Sequence, residues 1–246
     1  MAKLTNKVAL VTGGSRGIGA AIVERLAQDH ADVAFTYRKA KDRAEALVDA
    51  VKELGRRGLA IRADSADPAE LTAAVNRTVK DLGGLDILVS SAGMLLFKSV
   101  EEFTLEDFEA IVATDLRAAF IASQAALPHL KRGSRIIIVG SNIAHYAALP
   151  KTSFYAMVKA GLVGLAKGMA RDLGPLGITV NVVEPGPIET EANPADGQYA
   201  DPLKALMATP QFGQGRDVAG LVAYLASSES QFATGAVFTI DNGFTA

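Results

Sequence analysis

From Val8 to Ile240 the chain alternates short apolar runs with longer amphipathic stretches, and this alternation leaves it very few architectures. The runs Val8–Val11, Val33–Tyr37, Leu59–Arg62, Ile87–Val89, Arg135–Val139, Thr179–Val183 and Val237–Ile240 are rich in Val and Ile. Continuous runs of this kind suit parallel strands covered on both faces. Between them, Ile18–Gln28, Lys41–Leu54, Ala69–Leu82, Leu105–Leu130, Phe154–Leu173 and Asp217–Ala226 carry apolar residues at helical spacing. Asp67-Pro68, and Thr104 with Asp107, are helix-start signals. Repeated βα units of this length predict an α/β fold: a doubly wound parallel sheet of about seven strands with helices on both faces.

A chain of 246 residues, 49% of them hydrophobic, can bury a sizeable core, and it predicts one domain over 1–246. One stretch breaks the rhythm. Residues 186–215 are rich in Pro, Gly, Asp and Asn, with a short helical pattern near Pro202–Ala208, which predicts a lid over a binding site. Charge is balanced, 25 Lys and Arg against 27 Asp and Glu, which argues against a nucleic-acid partner. Cysteine is absent, so disulfides, thiol nucleophiles and zinc–thiolate sites are excluded. The three histidines, His30, His129 and His145, lack ligand spacing, and no metal is expected. No uninterrupted apolar run reaches about 18 residues, so no spanning helix is expected. The opening Met1–Lys7 lacks a signal peptide's apolar stretch, and a cytoplasmic protein is expected.

The first strand runs into Thr12-Gly13-Gly14-Ser15-Arg16-Gly17-Ile18-Gly19 and then directly into a helix. Glycines there permit a tight turn, and the helix N-terminus offers unpaired N–H groups to an anion. A strand before the motif and a helix after it are the context that marks a dinucleotide site. At the end of the second strand stand Tyr37, Arg38 and Lys39, where a site preferring NAD would carry an acid. Together with Arg16, these cations suit a 2′-phosphate and predict NADP(H).

Tyr155 and Lys159 lie one turn apart near the start of the helix Phe154–Leu173, on one face. Ser141 follows the fifth strand, at the edge where open α/β sheets bind ligands. A lysine beside a tyrosine favours tyrosinate, and a serine can hydrogen-bond a substrate oxygen while the tyrosine gives or takes its proton. His145 and Tyr146 read as exposed loop residues within reach of a substrate. Leu95, Phe97, Tyr199, Leu203, Leu206 and Met207 read as an apolar substrate wall. Gly161, Gly164 and Gly168 stud the catalytic helix and predict close packing there.

With these motifs in place, the sequence resembles the short-chain dehydrogenase/reductase family along essentially its whole length. The resemblance rests on Thr12–Gly19, Asp64, Ser91-Ala92-Gly93, Ser141, Tyr155 with Lys159, Asn181, Pro185-Gly186-Pro187-Ile188-Glu189-Thr190 and the ending Ile240–Phe244. It implies a Rossmann-type fold, a carbonyl reductase using NADPH, and a homotetramer. It also implies roles: Asp64, with Ser65 beside it, meets the adenine, and Ser91, Ala92 and Gly93 line the groove. Pro185, Gly186 and Ile188 would border the nicotinamide, Thr190 the phosphates, and Lys159 the nicotinamide ribose as well. Three departures stand out. Ser90-Ser91 replaces the family's Asn-Asn, Asp115 stands where a catalytic asparagine is usual, and the step from Ser141 to Tyr155 is one residue longer than the commonest spacing. If Asp115 takes that place, its charge is expected within water-mediated reach of Lys159. The alternatives are a reductase of 3-oxoacyl thioesters and a non-catalytic protein that senses a nucleotide in the same groove.

Overall fold

The computed structural model describes residues 4–246; Met1–Lys3, part of the opening read for a leader, lie outside the described residues. The strands are β1 (Val8–Thr12), β2 (Asp32–Tyr37), β3 (Gly58–Arg62), β4 (Ile87–Ser90), β5 (Arg135–Val139), β6 (Thr179–Pro185), β7 (Ile188–Glu189), β8 (Gly213–Gln214) and β9 (Val237–Ile240). Seven of them form one parallel sheet in the order β3-β2-β1-β4-β5-β6-β9, as the alternation of runs requires. The order reverses between β1 and β4, whose ends lie side by side with Thr12 opposite Ser90. Such a switch point opens a crevice at the carboxyl ends of the strands.

The helices are α1 (Gly17–Gln28), α2 (Lys41–Glu53), α3 (Pro68–Leu82), α4 (Leu105–Ile111), α5 (Ala118–Ala126), α6 (Ser153–Leu173), α7 (Ala200–Lys204) and α8 (Gly215–Ala226). Side chains of a strand alternate between faces, which splits the core in two. Ala9, Val11, Phe35 and Val183 pack with Ile22, Val23 and Val222 on one face. Leu10, Leu88, Ile138 and Val182 pack with Ala122, Leu162 and Ala166 on the other. The predicted caps form. Asp67 accepts from the N–H groups of Ala69 and Glu70, and Thr104 and Asp107 make a reciprocal capping box.

Three features differ from the sequence reading. The stretch read as one helix, Leu105–Leu130, is interrupted by a π-helical turn over Val112–Arg117 and ends in a 3₁₀ turn over Leu127–His129. A widened turn re-aims its side chains and has no compositional mark, so periodicity passes over it. By length and composition Leu105–His129 is apolar enough to cross a membrane. Its Ile111, Ala119, Ala122 and Ala126 are instead buried, with α5 lying against α3 and β4. Secondly, residues 186–215 are folded: β7 pairs with β8, α7 follows, and Ala200, Met207 and Phe212 form a small core with Phe244. Thirdly, only Gly161 of the three helix glycines meets a neighbour within the chain, the Leu116 side chain; Gly164 and Gly168 face open space.

Candidate active site

The glycine turn leaves β1 at Thr12. Gly13 has φ +66°, and a Cβ there would stand 2.8 Å from the Ala92 Cα, while one on Gly19 would stand 2.3 Å from the Gly13 carbonyl oxygen. Only glycine permits both approaches. Two threonines to which the sequence reading gave no role anchor the turn. The Gly13 N–H donates to Thr36 Oγ1 (2.9 Å), and the N–H groups of Ser91 (3.1 Å) and Ala92 (3.2 Å) both donate to Thr12 Oγ1. For Thr12 the available signal was a hydroxyl residue closing a fully buried strand. Thr12 thus binds the small Ser91-Ala92-Gly93 segment to the turn without the family's asparagines.

At α1 the cap position is Arg16, which makes no side-chain capping bond, and the first turn carries no acid. The contrast with Asp67 and Thr104 is telling: among these three helices, α1 alone keeps its first-turn amides clear of side-chain caps. Together with Ser15, Gly17 and Ile18 this is a donor set suited to a phosphate group. The stretch 186–215 lies against it, with Thr190 next to Gly17 and Glu191 paired with Arg43 of α2.

Further out, Tyr37 ends β2, and Arg38 and Lys39 are exposed beyond it. Arg38 Nη1 lies 3.5 Å from Asp64 Oδ2, with Ser65 alongside. An acid therefore does stand beside the cation expected to take a 2′-phosphate. The Arg38 side chain remains more than half exposed and has room to turn.

Across the crevice, Tyr155 and Lys159 share a face of α6, with Lys159 Nζ 5.4 Å from the centre of the Tyr155 ring. Lys159 Nζ also stands 2.9 Å from Asp115 Oδ1, both side chains being buried. The expected water-mediated distance is thus a direct ion pair, because the π-helical turn carries Asp115 inward. Asp115 Oδ2 accepts the Met94 N–H at 2.9 Å, and a Cβ on Gly93 would come within 3.0 Å of Asp115 Oδ1. Burial pushes the Lys159 amine down, but the negative charge of Tyr155 in its ionised form and of Asp115 outweighs it and holds the ammonium above the usual lysine value.

Ser141 follows β5 and begins a short turn over Asn142–Ala144, its Oγ accepting the Ile143 N–H at 3.4 Å. Ser141 and Tyr155 line one pocket together with Leu95, Phe97, Tyr146, Tyr199, Leu203 and Phe244. Phe97 meets both Tyr155 (5.8 Å) and Tyr199 (6.0 Å) edge to face. Among the described residues lining this pocket there is no Asp, Glu, Lys, Arg or His. Leu206 and Met207, read as part of the wall, belong to the lid's own core. His145, read as an exposed loop residue, is exposed in that loop and also faces Glu184, with Nε2 2.9 Å from Oε2. Glu184 escaped sequence reasoning, although a lone charge between Val183 and Pro185 in a buried strand is a signal. Pro185 ends β6, and Gly186 touches Asp241 so closely that a Cβ would stand 2.6 Å from the Asp241 Cβ. Ile188 sits in β7 at the root of the lid.

A family model described as Enoyl-(Acyl carrier protein) reductase matches residues 13–245. The chain belongs to the short-chain dehydrogenase/reductase family. This short-chain dehydrogenase/reductase is similar to a Burkholderia cenocepacia J2315 short chain dehydrogenase solved in complex with NADP. The two are 50% identical with a TM-score of 0.98, over 99% of this chain and 100% of that one. It is also 44% identical, over the full length of both chains, to a cyclic-di-GMP-binding biofilm dispersal mediator protein of Escherichia coli K12. A 3-oxoacyl-[acyl-carrier-protein] reductase of Staphylococcus aureus is 37% identical over 96% of this chain and 97% of its own.

Proposed function

We propose that the protein reduces neutral, apolar ketones or aldehydes to alcohols with NADPH, reversibly. The observation that carries the reading is that Ser141 and Tyr155 open onto a mostly aromatic and aliphatic pocket wall which, with Asn142, Thr152 and Asn193 included, carries no charged side chain. A phosphate- or carboxylate-bearing substrate would find no cation there, whereas a neutral carbonyl compound loses little on leaving water.

A reduced nicotinamide dinucleotide, when bound, supplies the hydride that reaches the carbonyl carbon. Ser141 Oγ donates a hydrogen bond to the carbonyl oxygen and fixes its direction. Tyr155 gives its phenolic proton to that oxygen as negative charge develops, and regains one from water afterwards. Lys159 keeps a positive charge beside the phenol, which lowers the cost of the tyrosinate left behind. Asp115 is a positioning residue that holds Lys159 in place. Arg16, Arg38 and Lys39, with the clear amides of α1, would hold the phosphates, including the 2′-phosphate; the Burkholderia relative in complex with NADP supports this choice.

The S. aureus relative suggests an acyl thioester, whose acidic carrier would need basic residues at the entrance. Lys98 and Lys151, next in sequence to the pocket residues Phe97, Pro150 and Thr152, are paired with Asp107 and Glu102. The E. coli relative favours a second reading, a nucleotide sensor, since the cations of the groove would take the phosphates of a cyclic dinucleotide as readily. NADPH oxidation with a panel of aryl and alkyl ketones, aldehydes and a 3-oxoacyl thioester tests the proposal, which expects turnover of apolar ketones. Turnover of none of them, with cyclic di-GMP displacing NADPH, would establish the sensor instead. We further propose a homotetramer, because Phe120, Met157, Gly164 and Gly168 leave an open, small-sided apolar face on α5 and α6. Light scattering should give four times the 25.7 kDa chain mass, and a monomer would refute it.

A further inference from the structure

Glu184 is a fully buried carboxylate near the end of β6, and neither of its oxygens accepts a well-formed hydrogen bond. A charge in that position is costly unless a cation faces it. Three ionisable groups face it: His145 of the loop after Ser141, at 2.9 Å; Asp241, just beyond β9; and Lys167 of α6. Gly140 lies directly against it, so that a Cβ there would be 3.3 Å from the Glu184 Cγ. Glu184 therefore underlies the residue before Ser141 and grips the loop four residues after it.

The same loop has a second tether, Asn142 Nδ2 donating to Asp241 Oδ2 at 3.3 Å. Pocket residues Ser141, Asn142, Ile143 and Tyr146 all sit between or next to these two ties. The ties differ in kind. The amide of Asn142 cannot carry a charge, whereas the imidazole of His145 can, and it is half exposed while its partner is sealed from solvent.

We propose that Glu184 is a positioning residue that latches the 141–146 loop through His145 and thereby sets substrate affinity according to the protonation of the pair. The proposal rests on the carbonyl-reductase reading for the substrate it affects. With His145 charged, the pair is compensated and the pocket floor is held. Once His145 is neutral, Glu184 keeps only a neutral donor, and the loop releases it to water or it takes up a proton. Burial already pushes the Glu184 carboxyl above the usual carboxylate value, with His145 opposing, Asp241 adding to the rise and Lys167 opposing.

The test is a set of steady-state profiles from about pH 5.5 to 8.5, the range in which an imidazole changes charge. Wild type, Glu184→Gln and His145→Gln are compared, each first shown to be folded by thermal unfolding. The substrate KM of the wild type should rise about threefold or more with pH, while kcat and the KM for NADPH change little. Both glutamine variants should give a flat substrate KM, since an amide can bridge but cannot titrate. Wild-type and variant KM profiles that superimpose overturn the latch. Ring NMR of His145, one of only three histidines, gives a readout independent of turnover. The amide signals of Ile143 and Tyr146 should move in step with the His145 ring in the wild type and cease to do so in Glu184→Gln. Loop amides that ignore the ring overturn the latch even if a substrate is found. Amides that follow the ring uphold it even if the reductase reading fails.

Discussion

The two sides of the crevice are built from different material. On the side proposed for the cofactor the mould is largely main chain, namely the Gly13–Gly19 turn, the clear amides of α1 and the segment that Thr12 Oγ1 ties down, with the side chains of Arg16, Arg38 and Lys39 at its rim. On the carbonyl side they come from side chains on separate segments, Leu95 and Phe97, Tyr146, and Tyr199 with Leu203. A backbone mould leaves little room for change, because a Cβ at Gly19 would collide with the Gly13 carbonyl. A wall of side chains can be exchanged one residue at a time. A chain of this kind is therefore expected to keep its cofactor while changing its substrate.

The sharpest separation of the two sides is Tyr155→Phe. Losing the proton donor should lower kcat by about 10²–10⁴-fold, while isothermal calorimetry finds NADPH affinity nearly unchanged. Retention of more than a tenth of the wild-type rate would remove Tyr155 from its role. Working on the other side, Arg38→Asp should cost NADPH its advantage. In the wild type, kcat/KM for NADPH should exceed that for NADH by at least about tenfold, or 1.4 kcal/mol, and in the variant the preference should vanish with substrate KM unmoved. Equal use of both cofactors by the wild type would break the assignment of Arg16, Arg38 and Lys39.

Asp115→Asn probes the seam between the sides with a smaller effect. The carboxylate stands 2.9 Å from Lys159 and partly cancels its field at the phenol. Without that charge, the alkaline rise of alcohol oxidation should move to lower pH, read from oxidation profiles of the two proteins. Superimposable curves would leave Asp115 a purely structural anchor for Met94. The smallest effect concerns stability. The Glu184 carboxyl is held above its usual value of 4.5, so its contribution is present below pH 4.5 and is lost as pH rises through the folded value. Glu184→Gln should flatten the pH dependence of the unfolding midpoint over that interval, and an unchanged slope would contradict it.

Legibility in the sequence follows the same division. Strand positions were readable because a buried parallel strand must be apolar throughout, and the glycine turn because its geometry admits almost nothing else. The π-helical turn at Asp115 was not, since Val112–Arg117 keeps ordinary helical composition. Nor was the core of the lid, where Met207 and Phe212 meet Phe244 from the chain's last residues, a contact between segments that no local pattern joins. The partnership of His145 with Glu184 is of that kind too, spanning two elements that only the folded sheet brings together.

The lid's private core has a thermodynamic consequence. Had the stretch from Gly186 to Gly215 been a random chain before substrate arrived, fixing it would cost about 1–2 kcal/mol of backbone entropy per residue. Over about 30 residues that is tens of kcal/mol, beyond the ceiling of roughly 18–21 kcal/mol for any non-covalent association. Because Ala200, Met207, Phe212 and Phe244 are already packed and β7 is already paired with β8, a substrate does not have to supply that ordering. A small, uncharged molecule with few groups to grip can then bind where a disordered flap would first have to be ordered.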